Sequence, residues 1–564
     1  MIKFVSFLFI ALLSISSHAM QHGSSAAGKG KNETTCTIAS LKCAKAPSAS
    51  FGPDGKLWLA WVFGGHVYVQ HSVDNGASFS QPLSVNRAPE KITARAENRA
   101  KIQLDNAGNI YISWAQPLNK PYTGNIRFSR SVDGGKTFSK PITVNDDHQE
   151  ISHRFDSMVV SDDGKVFISW LDKRDQQAAK DKQQEYIGGA LYYSYSDDQG
   201  QTFSKNMNLS DNSCVCCRIA MALDNNNLPV IAWRDIYGND INNQIRDHSL
   251  LTFRSALKPN KKIRLSHEQW NIDGCPHHGP ALDVDSNNVI HSTWFNDVSN
   301  EEQGSDYVLF YGNSISGFNI SDYKPMGFGQ IDKQSAHPYV LTSNQRATKD
   351  QMVFLVWKEF DGKKTDILLK TSKNSGTSWS DRRVISTTAG ASDHPLLVKN
   401  SNSVYLSWHT QNEGYRFIEL SSIAELVEVN LKTLDMGRFE KIVADKNKQD
   451  HLVVLWSFDC PPCITELKKI SELHRQYPEY QLTLINTDSM DEQTRVKKML
   501  ADYNLRGLDN WGFSDVDAEK LRYDIDSRWF GDLPRSYFFP VNGKIKRLRG
   551  ALTSAELRAL FQPS

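Results

Sequence analysis

The sequence predicts a multidomain chain: a long all-β body built from a repeated unit, followed by a smaller α/β domain. Three observations carry this. Seven tryptophans (Trp61, Trp114, Trp170, Trp233, Trp294, Trp357, Trp408) recur at spacings of 51 to 63 residues, each closing a short alternating apolar strand. After Leu420 that pattern stops, and strand-like and helix-like segments alternate instead. At 564 residues the chain also exceeds what one core holds.

At the N-terminus, Lys3, the apolar run Phe4 to Ile15 and the small residues around Ala19 predict a signal peptide over residues 1–19. The run is about a dozen residues, short of the roughly 20 that span a bilayer. Export is expected, to the periplasm if the source is Gram-negative and otherwise to the medium. The formal net charge of +1 argues against nucleic acid as a partner. In an oxidising compartment Cys36 and Cys43 are expected to bridge, stapling a segment (20–45) that closes the repeat body.

The repeat body runs over residues 46–420. Each unit opens on a turn rich in Asp, Asn and Gly, then a tryptophan strand such as Asp163-Gly-Lys-Val-Phe-Ile-Ser-Trp170. Four units add a second signature: Ser72-Val-Asp-Asn-Gly-Ala-Ser-Phe79 and its counterparts at Ser131–Phe138, Ser196–Phe203 and Ser372–Trp379. The Asp or Asn side chain hydrogen-bonds local backbone, Gly takes the positive φ of the turn, and the aromatic tucks under the loop. This frame resembles the Asp-box, or BNR, repeat of sialidase-type β-propellers. The resemblance implies an all-β propeller, with seven blades preferred to six. The seventh unit has no Asp-box hairpin, and Thr34–Leu41 is expected to supply its outer strand. Where sialidases carry an early Phe/Tyr-Arg-Ile-Pro motif this chain has Ala46–Phe51, so sugar cleavage ranks last among the functions considered.

Units four and five open on Cys214-Val-Cys216-Cys217-Arg218 and Cys275-Pro-His277-His278. Aligned on their tryptophans, these fall at one level of adjacent units, with Arg99, Arg154, His337 and His394 equivalent elsewhere. Two alternatives stand. In one, the thiols pair as disulfides, Cys217 or Cys216 with Cys275 for example. In the other, Cys214, Cys216, Cys217, Cys275, His277, His278, His337 and His394 supply ligands to copper or zinc. A ring of arginine and histidine at a propeller mouth also suits an anion.

Residues 421–450 read as a connecting segment, and 451–564 as the α/β domain. Its chemistry lies in Cys460-Pro-Pro-Cys463, between the apolar run 451–458 and a helix reaching Arg475. A CxxC at a strand-to-helix junction is a redox signature: helix N–H groups and dipole favour a thiolate on the first cysteine, and the second closes a disulfide. Strand 481–486, helices over 491–503 and 518–523, strands over 531–539 and 544–549 and a final helix from Ser554 complete the pattern. With Trp456, Glu466 and Leu533-Pro534, the motif resembles exported TlpA/ResA-like members of the thioredoxin superfamily. The resemblance implies that Cys460 is the nucleophile, Cys463 the resolving thiol and Pro534 a cis-proline beside them. Val454 stands where thioredoxin keeps a buried acid, so Glu466 or water is the candidate proton relay. The expected function is an exported thiol–disulfide oxidoreductase, a reductase by its resemblance. It needs no cofactor, acts on protein thiols and disulfides, and is recharged by a membrane electron donor of the DsbD/CcdA type. The alternative is a copper- or glycan-binding propeller with an accessory redox domain.

Overall fold

The computed structural model of the chain describes residues 36–238, 244–272, 274–297, 307–315, 325–343, 351–421, 429–444, 449–503 and 505–561. The expected signal peptide lies outside them.

Seven antiparallel sheets form a closed propeller, each with its tryptophan strand second from the axis. The innermost strands are Lys45–Phe51, Lys101–Leu104, His153–Val160, Ala220–Leu223, Ala281–Val284, Ala336–Thr342 and Leu396–Lys399. Each neighbours the next, and the last meets the first. The second strands are sandwiched by blades on both sides, which is why Val166–Asp172 and Pro229–Arg234 are buried at every residue. The seven repeat tryptophans are 0–1 % exposed. In six the indole N–H finds an acceptor, as in Trp61 to Gln70 Oε1 (3.0 Å), Trp170 to Asp172 Oδ2 (2.8 Å) and Trp408 to the Asp393 carbonyl (3.0 Å).

The Asp-boxes tie neighbouring blades together. Asp74 accepts from the Ser72 hydroxyl (2.7 Å) and the Ser78 N–H (2.8 Å), while the Gly76 N–H donates to Ser72 Oγ (2.8 Å). The Ser78 and Ser72 hydroxyls hold the Asp74 carboxyl at about 2. The box aromatics then pack on the preceding blade: Phe203 on Phe128 (centroids 5.0 Å apart), Trp379 on Tyr311 (4.7 Å) and Phe79 on Tyr415 (6.0 Å). The Phe79 contact joins blade one to blade seven and so helps close the ring. Gly135 is required twice over, because its φ is +79° and a Cβ there would stand 2.5 Å from the Trp58 ring.

Blade seven differs from expectation. It has three strands, Leu396–Lys399, Val404–Thr410 and Gly414–Glu419, and residues 36–41 add none. Cys36 and Cys43 are disulfide-bonded, and the bridge tightens the chain into a 3₁₀ turn, Leu41–Cys43. His409 Nε2 lies 3.2 Å from the Leu41 carbonyl, so this turn covers the edge of the blade.

The C-terminal domain is a six-stranded sheet in the order Leu431–Leu434, Asp509–Phe513, Gln481–Asn486, His451–Trp456, Arg535–Phe539, Lys546–Arg549. The first four are parallel and the last two antiparallel. Helices Pro461–Gln476, Gln493–Asp502 and Ser554–Phe561 pack on one face; Arg438–Ala444 and Ala518–Ile525 pack on the other. Residues 421–450 are therefore more than a connection, since Leu431–Leu434 forms the sheet edge and Phe439 and Ile442 enter the core.

Candidate functional site

Strand His451–Trp456 runs through the middle of the C-terminal sheet and delivers the chain to Cys460, the N-cap of helix Pro461–Gln476. The two prolines suit the first helical positions, where an N–H has no partner to lose. Cys460 and Cys463 are disulfide-bonded, and the Cys463 N–H points at Cys460 Sγ (3.2 Å). Cys460 is half-buried beside exposed Pro461 and Pro462, whereas Cys463 is 1 % exposed. One pair thus offers an outer sulfur that a partner can reach and an inner one it cannot. Asp459 is exposed; the Arg495 guanidinium lies 3.8 Å away and over the Phe458 ring.

Glu466 lies one helical turn beyond Cys463 and is fully buried. Its Oε1 accepts from the Leu552 N–H (3.0 Å), and its Oε2 has no partner among the described atoms. Burial pushes its carboxyl up to about 7, against the opposing pull of the Leu552 N–H and Lys469. Val454 is buried in apolar surroundings, leaving Glu466 as the acid beneath the pair. The Leu533–Pro534 peptide is cis; Pro534 is buried, and its carbonyl accepts from the Gly550 N–H (3.0 Å).

The propeller mouth holds a second group. Cys214, Cys216, Cys217 and Cys275 are free thiols. Neither expected bridge to Cys275 is formed: Cys217 is buried 3.5 Å from Cys214 Sγ, and Cys216, whose Sγ lies within 4.8 Å of exposed Cys275, is also a free thiol. Cys214 Sγ also stands 3.6 Å from Cys216 Sγ and accepts from Arg246 Nη1 (3.2 Å). The neighbouring thiols of Cys216 and Cys217, then Arg246 and Arg234, pull the Cys214 thiol well below its usual value against the effect of burial.

The eight ligands expected to converge divide into two groups. His277, in the left-handed region at φ +54°, turns to the thiol side with Nδ1 3.0 Å from the Cys216 carbonyl. The next residue goes the other way. Buried Arg234 donates to the His278 carbonyl (2.9 Å), and the His278 ring stacks on Phe295 and lies tilted against His337, centroids 4.4 Å apart. His337 stacks on His394 at 3.3 Å, and both Nδ1 atoms lie 3.2 Å from Glu97 Oε1. Glu97 is held ionised despite burial by Arg218 (2.9 Å) and the two imidazoles. Burial keeps His278 and His337 well below their usual value and brings His394 down to about 3. Arg99 pairs with Asp393 (2.9 Å), joining blades two and seven. Behind this mouth lies a central cavity of about 170 Å³ lined by Glu97, Arg99, Lys101, Asp156 and Arg218 among others.

Glu97, Arg234 and Arg246 organise this mouth and belong to no sequence signature. The only hint is positional: Glu97 stands two residues before Arg99, and Arg234 follows a repeat tryptophan.

The fold and site define a seven-bladed β-propeller joined to an α/β domain with a surface CxxC disulfide. No family model matches the chain, and no curated protein matches it. Among solved structures it is similar to the Hadza microbial sialidase Hz136, at 14% identity over 67% of this chain and 65% of that one, with a TM-score of 0.38. The chain thus spans just under two thirds of that sialidase. It is also similar to an α-L-arabinanase of Penicillium chrysogenum complexed with arabinobiose (10% identity, 56% and 88% covered, TM-score 0.35). Over 21% of this chain and 84% of the other, it is similar to a secreted Mycobacterium tuberculosis disulfide oxidoreductase homologous to E. coli DsbE (19% identity, TM-score 0.18).

Proposed function

We propose that the protein is an exported thiol–disulfide oxidoreductase, acting as a reductase through a thioredoxin-like C-terminal domain, with the propeller recognising or positioning its partner. The observation that carries this is the Cys460–Cys463 pair at a helix N-terminus, its outer sulfur half-exposed and its inner sulfur buried above Glu466. In the reduced form the Cys460 thiolate attacks one sulfur of a substrate disulfide. A Cys460–substrate bond forms, and the substrate's other sulfur leaves as a thiolate. Cys463 gives up its proton and attacks Cys460 Sγ, restoring the disulfide and releasing the second substrate thiol. Two electrons pass from the dithiol to the substrate.

Glu466 suits the proton's destination, since a carboxyl poised near 7 is ionised often enough to accept it. Return to the dithiol requires a two-electron thiol donor, for which a membrane carrier of the DsbD/CcdA type fits an exported enzyme. The test is reduction of insulin's interchain disulfides by the full chain with a chemical thiol as donor. Wild type is expected to accelerate it and Cys460→Ser to leave only background; equal rates would refute the proposal.

A further inference from the structure

The thiol group at the propeller mouth is separate from the Cys460–Cys463 pair and has the construction of a ligand site. Two loops build it. The loop opening blade four buries Cys214, Cys216 and Cys217 (1, 5 and 2 % exposed), their sulfurs all within 4.8 Å of one another. The loop opening blade five brings up exposed Cys275 and His277, whose ligand atoms lie within 4.8 Å of each other and of Cys216 Sγ. The two sets share Cys216.

The donor chemistry selects among metals. Three thiolates closing on one point suit a soft, low-coordinate ion such as Cu(I), whereas structural Zn(II) sites are four-coordinate and tetrahedral. Among the described residues no fourth ligand joins the buried trio; His277 belongs to the outer set. Charge points the same way. Three thiolates around a monovalent ion leave net negative charge, which is costly to bury alone. Arg246, itself buried, directs Nη1 at Cys214 Sγ and has an Nε without a partner among the described atoms. Buried Arg234 lies nearby and accepts the Cys214 N–H on its carbonyl (3.0 Å).

We infer that Cys214, Cys216 and Cys217 bind one Cu(I) ion, which enters through solvent-facing Cys275 and His277 and is handed inward across the shared Cys216. Binding is a ligand exchange without net redox change: each thiol that ligates releases its proton, and the ion arrives already as Cu(I). The site stands independently of the oxidoreductase proposal, although a reductase on the same chain would keep these thiols reduced outside the cytoplasm.

The test uses the full chain carrying Cys460→Ser and Cys463→Ser, so that the CxxC thiols cannot contribute. The protein is reduced with a phosphine, freed of reductant anaerobically and titrated with Cu(I) against the chelator bathocuproine disulfonate. One Cu(I) per chain is expected to be withheld from the chelator, with X-ray absorption giving a first shell of three sulfurs. Arg246→Met should weaken retention about 10- to 100-fold, the range for outer-shell partners, and Cys216→Ser should weaken it more. Cys275→Ser should slow uptake while sparing retention. The inference is overturned if the chelator removes all Cu(I), if the absorption spectrum gives nitrogen or oxygen ligation, or if Zn(II) is retained and Cu(I) is not. Alkylation mapping that finds two of the three buried cysteines joined in a disulfide resistant to the phosphine would overturn it as well. The absorption measurement needs no substitution within the propeller, so misfolding of a variant there does not shield the idea.

Discussion

The two cysteine groups of this chain use the same atoms in opposite surroundings. At Cys460 and Cys463 the sulfurs sit at the start of a helix, one half-exposed and one buried, and are already bonded to each other. At the propeller mouth three thiols are buried, Cys214 standing 3.5–3.6 Å from each of the other two with an arginine on it, and a fourth is exposed at the rim. The first arrangement suits transient covalent exchange, because a partner can reach only one sulfur and the other waits behind it. The second suits retention, because several soft donors are buried together. Cysteine chemistry is set by exposure, neighbouring charge and backbone dipoles rather than by residue type.

The comparison breaks most visibly at Cys460. Cys460→Ser is expected to take insulin reduction to the uncatalysed rate; substantial residual activity would move the chemistry to another cysteine. Next in size is Glu466→Gln, expected to slow the resolving step on the order of 10² fold. The wild-type rate should rise as pH climbs through about 7, as the Glu466 carboxyl ionises, and the variant should be flat over that range. Stability gives the opposite sign for the same group. Its folded value lies above the ordinary 4.5, so the folded state holds a proton that the unfolded chain releases. Stability is therefore fully present below about 4.5, is lost as pH rises to about 7, and should stop falling with pH in Glu466→Gln.

Smaller effects test whether the propeller is only a scaffold for the redox step. Trp170→Ala removes a fully buried indole and its hydrogen bond to Asp172, and should cost about 3–5 kcal/mol in denaturant melts. Reduction of a small-molecule disulfide should be unchanged in the surviving folded protein. Gly135→Ala should cost about 1–3 kcal/mol by the same measurement, since the turn needs positive φ and the Trp58 ring blocks a Cβ. An unchanged midpoint would mean that the Asp-box turn relaxes freely.

What the sequence makes legible follows how local each feature is. The seven tryptophan strands, the Asp-box turns and the CPPC helix start depend on short-range patterns, and all are visible before any coordinates. Strand Asp509–Phe513 was not anticipated. Its residues Asp, Asn and Gly are poor strand formers, and it is held by pairing on both sides, with Leu431–Leu434 and Gln481–Asn486. The division of the mouth residues is equally non-local. His277 and His278 are adjacent in sequence and part company because Arg234, from a different blade, holds the His278 carbonyl. Glu97 joins three blades through Arg218, His337 and His394, and no spacing along the chain announces it. Of the strand expected from 34–41, the described residues 36–41 form none for a local reason: the short Cys36–Cys43 disulfide loop favours a turn over an extended edge.

The most direct test of the account asks which sulfur carries the exchange. In Cys463→Ser the resolving thiol is gone, so substrate should remain covalently attached. Peptide mapping of adducts formed by the full-length variant in the presence of exported proteins should place the mixed disulfide on Cys460, and the adducts should vanish in Cys460→Ser/Cys463→Ser. Adducts that persist in the double variant, mapped to Cys275 at the propeller rim, would contradict it.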